Sequence, residues 1–150
     1  MKTRRIPYIG FYIYIISLIT LIIGYITAIQ TFNIFQYKLD RFVMIFPLFA
    51  MWIILLEIIV SIVDINKPAF TATIDVLFSV FVIFAFAKTL IPFLTNIATF
   101  FTVNMGDMAL FAVGVPRCIT ACVLFIVSGI IFIAGSFFKV VKIKEVKNND

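Results

Sequence analysis

Three ionisable residues fall within long apolar runs of this 150-residue chain, Glu57, Asp75 and Lys88, and any chemistry must start from them. A charge held in hydrocarbon is costly, so such positions are functional candidates. Glu57 and Asp75 lie nine positions before and nine after Asn66, the centre of the tight turn Asp64-Ile65-Asn66-Lys67-Pro68. At about 1.5 Å per residue, both are expected at one depth, roughly a third of the way into a bilayer. If both face the interior, two carboxylates in a low dielectric either share a proton or hold a cation between them. The plainer alternative is that each hydrogen-bonds a neighbour, such as Ser61, Ser79 or a residue of the first span, and serves only as interhelical glue. Asp75 also sits within two turns of its helix start, where the helix dipole favours a negative charge. Lys88, toward the outer end of its span, is expected to snorkel to the headgroups, with Asp107 as a possible partner.

Little else in the chain can do chemistry. There is no histidine, which removes imidazole metal sites and His-activated nucleophiles together. Cys118 and Cys122 are one helical turn apart, a geometry that points poorly for a disulfide, so they are expected as small buried thiols. The chain is therefore expected to be non-enzymatic and to need no cofactor or metal. Its net charge of +5 gathers near the two ends of the sequence rather than on a folded face, which favours membrane lipids over nucleic acid as the partner.

The elements that hold these residues follow from hydropathy. With 64% hydrophobic residues, 13% charged residues and a mean hydropathy of +1.22, the composition is that of an integral membrane protein. A bilayer core about 30 Å thick takes roughly 20 apolar residues per helix. The sequence predicts an all-α fold, one four-helix transmembrane domain over 1–150, with spans at about 8–28, 42–63, 69–93 and 116–138 and a basic cytoplasmic tail at 139–150. The first run is longer than the apolar core of a signal peptide and is read as a span. Pro68 is expected to open the third span, because a missing N–H needs no partner there. The segment 94–115 is too apolar for a solvated loop and is expected at the interface, as a separate helix or as helical extensions; Pro92 and Pro116 should kink or end their helices, and Gly106-Asp107 should supply a break and a cap. Lys2, Arg4, Arg5, Lys67, Lys139, Lys142, Lys144 and Lys147 fall on one side, against Lys38, Arg41 and Arg117 on the other. The positive-inside rule then places both termini in the cytoplasm.

Helices in lipid gain nothing from the hydrophobic effect on meeting each other, so small residues mark their contact faces. Gly10, Ser17, Gly24 and Thr31 recur every seven positions in the first span, as do Gly114, Ala121, Ser128 and Gly135 toward the last. A seven-residue repeat predicts left-handed packing. The stripes serve the bundle itself or recruit another copy or another membrane protein. The third span has no such ladder and is expected to show Phe78, Phe81, Phe84 and Phe86 to lipid or a partner. Tyr8, Tyr12 and Tyr25 fit aromatic belts. Lys139, Lys142, Lys144 and Lys147, beside the membrane, are expected to attract anionic lipid as well as to fix topology.

Ile74-Asp75-Val76-Leu77 followed by phenylalanines, and Arg117-Cys118 followed by Ala121, Phe125 and Ser128, together with chain length and topology, resemble the small fungal members of the MARVEL-type four-span family. The resemblance covers most of the chain as topology and about a dozen residues as identities. It implies a non-enzymatic organiser of lateral membrane domains or vesicle membranes, at the plasma membrane or in the secretory pathway. The alternative is a small accessory subunit of a larger transporter or membrane complex, with Glu57, Asp75 and Lys88 meeting partner helices. A self-contained carrier ranks below both, since no internal repeat or paired broken helices are evident.

Overall fold

In a computed structural model of the protein, the backbone is described for residues 2–35, 41–63, 68–103, 108–138 and 141–146. Four helices form the body: α1 (Ile9–Ile34), α2 (Arg41–Val63), α3 (Pro68–Val103) and α4 (Met108–Ser136). Three of them, α1, α3 and α4, are long and apolar enough to cross a membrane, whereas α2 offers a shorter apolar stretch, Met44–Val60. Each helix packs against two others in a closed ring, α1 against α4, α4 against α3, α3 against α2 and α2 against α1.

The α1–α4 contact is the most extensive in the molecule, and the sequence dictates it. Buried positions in α1 run Gly10, Tyr14, Ser17, Leu21, Gly24, Ala28, Thr31, and in α4 they include Gly114, Cys118, Ala121, Phe125, Ser128, Phe132, Gly135. Steps of four and three alternate in both series, the spacing of knobs-into-holes packing. All eight residues of the two small-residue ladders are buried. Between them stand Tyr14, Leu21, Phe125 and Phe132, large residues that fill the gaps the small ones open.

Ser17 and Ser128 fix the register. The Ser17 hydroxyl donates to the Ser128 carbonyl at 2.9 Å, the Ser128 hydroxyl donates to the Ser17 carbonyl at 3.0 Å, and the two oxygens are 3.1 Å apart. From that clasp, antiparallel steps of seven bring Gly24 level with Ala121, Thr31 with Gly114, and Gly10 with Gly135. The glycines are used where large residues cross over: Gly24 lies beneath Leu124 and Phe125, Gly114 beneath the Phe35 ring, and Gly135 beneath Tyr14.

Several expectations change. Neither Pro92 nor Pro116 ends a helix; α3 continues to Val103, and α4 starts at Met108. The segment 94–115 is therefore, in its described part, two helical extensions and not a separate interfacial helix. Proline is tolerated inside apolar helices because neighbouring groups re-satisfy the freed backbone. Pro47, buried in α2, is a third case. At 36 residues, α3 is about 54 Å long and overreaches a 30 Å hydrocarbon core. Gly106 and Asp107, expected to break and cap, lie outside the described residues, as do 64–67 of the tight turn.

The largest departure from an all-helical chain is a pair of strands. β1 (Lys2–Pro7) and β2 (Val141–Val146) form a two-stranded antiparallel sheet, with Arg4 opposite Lys144 and Ile6 opposite Lys142. The segment expected as a simple basic tail is thus tied to the segment that leads into α1.

The glycine contacts predict opposite outcomes for two similar substitutions. A Cβ at Gly135 would meet Tyr14 at 2.9 Å, while one at Gly129 meets Val82 at an ordinary 3.5 Å. Gly135→Ala should lower stability in detergent, overpacking of about 1–3 kcal/mol outweighing the gain in helix propensity. Gly129→Ala should leave stability unchanged or raised. Thermal unfolding of the two variants checks this, and equal shifts would contradict it.

Candidate functional site

Glu57 lies on the inward stripe of α2, with Ala50, Ile54 and Val60, and is only 5% exposed. Asp75 follows Ile74, which belongs to the inward stripe Ile74, Phe78, Val82, Ala85 of α3, and so sits half-buried at the edge of that stripe. Tyr14 completes the group from α1, fully buried and within electrostatic reach of both carboxylates. Phe132 of α4 packs on Tyr14 with ring centroids 5.1 Å apart, and Phe78 stacks on Phe132 at 3.8 Å. Three helices, α1, α2 and α3, each contribute an acidic or phenolic group, and the Phe132 and Phe78 rings of α4 and α3 stack beside Tyr14.

Hydrogen bonding divides the buried polar groups into two kinds. The hydroxyls are satisfied: Ser17 and Ser128 bond each other, Thr31 donates to the Thr27 carbonyl, and Thr89 donates to the Ala85 carbonyl. The carboxylates are not, since Glu57 Oε2 and Asp75 Oδ1 are both buried and have no hydrogen-bond partner among the described residues. Ser79, one of the neighbours expected to bind a carboxylate, donates instead to the backbone carbonyl of Asp75 at 2.9 Å. The side chain of Ser61 lies outside the described residues. Of the two readings open from the sequence, hydrogen-bonded glue has no support at these two oxygens. A buried carboxyl oxygen without a hydrogen-bond partner can take up a proton, a cation or a water.

Lys88 does not join this group. It is half-buried on α3, thirteen residues beyond Asp75 and so about 20 Å further along the axis. Asp107, its expected partner, lies outside the described residues, as do Lys139 and Lys147; the side chains of Lys142 and Lys144 are likewise not described. Cys118 and Cys122 are free and buried, in a small cluster with Phe35, Phe86, Leu90 and Val115.

Two aromatic assignments change. Phe78 does not face lipid; it is fully buried against Phe132, because it falls on the same inward stripe as Ile74 and Val82. Phe81, half-buried, stacks on Phe49 of α2 at 5.4 Å, whereas Phe84 stays exposed as expected while also stacking on Phe46 at 5.2 Å. Tyr14 carries no mark of its own in the sequence, yet it stands midway in the ladder step from Gly10 to Ser17, where a heptad places its second inward residue.

No protein-family model matches the chain, and neither does any curated protein or any solved structure.

Because Glu57 Oε2 is buried without a hydrogen-bond partner among the described residues, replacing the residue with an apolar side chain of similar length removes an unsatisfied atom. Glu57→Met should stabilise the bundle by about 1–3 kcal/mol. Denaturation in mixed detergent measures this. A clear loss of stability would show that the carboxylate contributes to packing.

Proposed function

We propose that this protein is a non-enzymatic membrane organiser, a four-span scaffold that acts through its lipid and helix–helix contacts, with both termini cytoplasmic, in the plasma membrane or the secretory pathway. The observation that carries this reading is the combination of a filled interior and an apolar exterior. Tyr14, Phe78, Phe125 and Phe132 close the inside. Ile19, Trp52, Ile83 and Ile130, one from each helix, are exposed on the outside. Such a body offers an apolar surface to its surroundings. Its partners are then membrane lipids, further copies of itself or other integral membrane proteins.

Parity supports the fourth span. Because β1 and β2 pair, the chain enters α1 and leaves α4 on one side, and only an even number of crossings returns it there. With α1, α3 and α4 read as crossings, an even count favours α2 as the fourth. The alternating four-three spacing of α1 and α4 favours a left-handed bundle. The bias of Lys and Arg favours the cytoplasm for the side that holds the strands. The lysines 139, 142, 144 and 147 then lie where each positive charge gains about 1 kcal/mol from an anionic leaflet.

In the accessory-subunit alternative, the buried charges contact partner helices. Glu57 is turned into its own bundle, so that alternative would have to rest on outward groups such as Trp52, 69% exposed at the middle of α2. A carrier reading is favoured by one specific observation, the two unpartnered carboxylate oxygens.

Cysteine labelling tests the topology in a background lacking Cys118 and Cys122. Asn66→Cys and Asn149→Cys should react from one side of sealed vesicles, and Lys38→Cys and Asn104→Cys from the other. Labelling of Asn66→Cys and Lys38→Cys from the same side would remove the second crossing. The double variant Glu57→Gln/Asp75→Asn should keep the wild-type membrane distribution. Proton or cation flux in proteoliposomes that this variant abolishes would decide for a carrier.

A further inference from the structure

The pairing of β1 with β2 does more than bring two basic segments together, because it sorts their charges. Residues directly opposite one another in a sheet share a face, and successive residues alternate between faces. The register Lys2↔Val146, Arg4↔Lys144, Ile6↔Lys142 therefore sets Lys2, Arg4, Lys142 and Lys144 on one face, with Ile6 and Val146. The other face receives Thr3, Arg5, Pro7, Val141, Ile143 and Glu145. Four of the ribbon's five cations fall on the first face, and its one acid falls on the second.

This arrangement is unfavourable for a ribbon alone in water. Like charges directly opposite, as at Arg4 and Lys144, destabilise a strand pair, and an isolated two-stranded sheet is marginal even without that repulsion. An anion on the cationic face reverses the sign of the effect. The position of the ribbon names the anion's source. β1 ends at Pro7 and α1 begins at Ile9, so no linker separates the sheet from the helix. At the other end, Phe137 and Phe138 follow α4 with their rings exposed, beside the start of β2. The ribbon therefore stands at the headgroup level of any bilayer that holds α1 and α4.

We propose that the β1–β2 ribbon is an anionic-lipid site, in which the face bearing Lys2, Arg4, Lys142 and Lys144 gathers the charged headgroups of the adjoining leaflet. The proposal rests on the scaffold reading above and deepens it: lipid is selected by a paired surface built from both ends of the sequence, rather than by the lysines of the last segment acting as a diffuse charge.

The test uses the full chain in phosphatidylcholine nanodiscs doped with spin-labelled phosphatidylserine, with spin-labelled phosphatidylcholine as the reference lipid. Two double variants remove equal charge from the same end of the molecule: Arg4→Gln/Lys144→Gln on the face, and Lys139→Gln/Lys147→Gln outside the strands. The face variant should reduce the preference for phosphatidylserine about tenfold, and the other variant less than about threefold. Equal losses would overturn the site while leaving a scaffold with diffuse lipid attraction. Disulfide locking of Thr3→Cys/Glu145→Cys, a register pair on the opposite face, keeps folding in view. The locked protein should retain its lipid preference, and failure of this pair to cross-link would overturn the ribbon itself, and the parity argument with it.

Discussion

In a bilayer, helices meet lipid and one another with nearly equal ease as far as apolar surface is concerned, so the bundle depends on how closely two backbones can approach. Here that approach occurs between α1 and α4. Gly24 and Gly135 leave room for Phe125 and Tyr14, and the reciprocal serine clasp at Ser17 and Ser128 sits midway along the seam. Each such hydrogen bond is worth only about 0.6 kcal/mol in a membrane, so the clasp serves mainly to choose a register. A slip of one turn would set the small residues of one helix level with the large residues of the other. The join between first and last helices also closes the ring and carries β1 and β2 to the same end of the molecule.

Once the seam is set, the remaining polar groups have little freedom. Tyr14 is fixed by Gly135 and Phe132. Glu57 is held inside by its stripe and Asp75 at the edge of its own, each with one buried oxygen that has no hydrogen-bond partner among the described residues. Outside, α2 and α3 join through stacked phenylalanines rather than small residues. The molecule thus uses two packing modes: close backbone approach on one side of the ring, and interlocked rings on the other.

Much of this was legible from the residues. The seven-residue spacing of Gly10, Ser17, Gly24 and Thr31, and of Gly114, Ala121, Ser128 and Gly135, marks faces that are buried in the structure, because a small side chain in an apolar helix has few other uses. The large halves of the same heptads were not legible, since Tyr14, Phe125 and Phe132 look no different from the many other aromatic residues of the chain. Phe78 was placed on the surface for the same reason. The strand pair escaped because its partners are separated by the whole sequence. Its local trace, the alternation Val141-Lys142-Ile143-Lys144, is only four residues long and reads as readily as a topology signal. The residues left open whether Pro92 and Pro116 kink or end their helices, and both lie inside one, since the rule that proline stops a helix comes from water and weakens among packed apolar helices.

The central claim is that α1 and α4 are locked together at Ser17 and Ser128, and cross-linking in native membranes tests it most directly. In a background with Cys118 and Cys122 replaced by serine, Ser17→Cys/Ser128→Cys should oxidise to an intramolecular disulfide in nearly all molecules, whereas Ser17→Cys/Ile126→Cys, with the second cysteine at an outward-facing position of α4, should not. A bond found only between molecules, or equal cross-linking of the two pairs, would contradict the account.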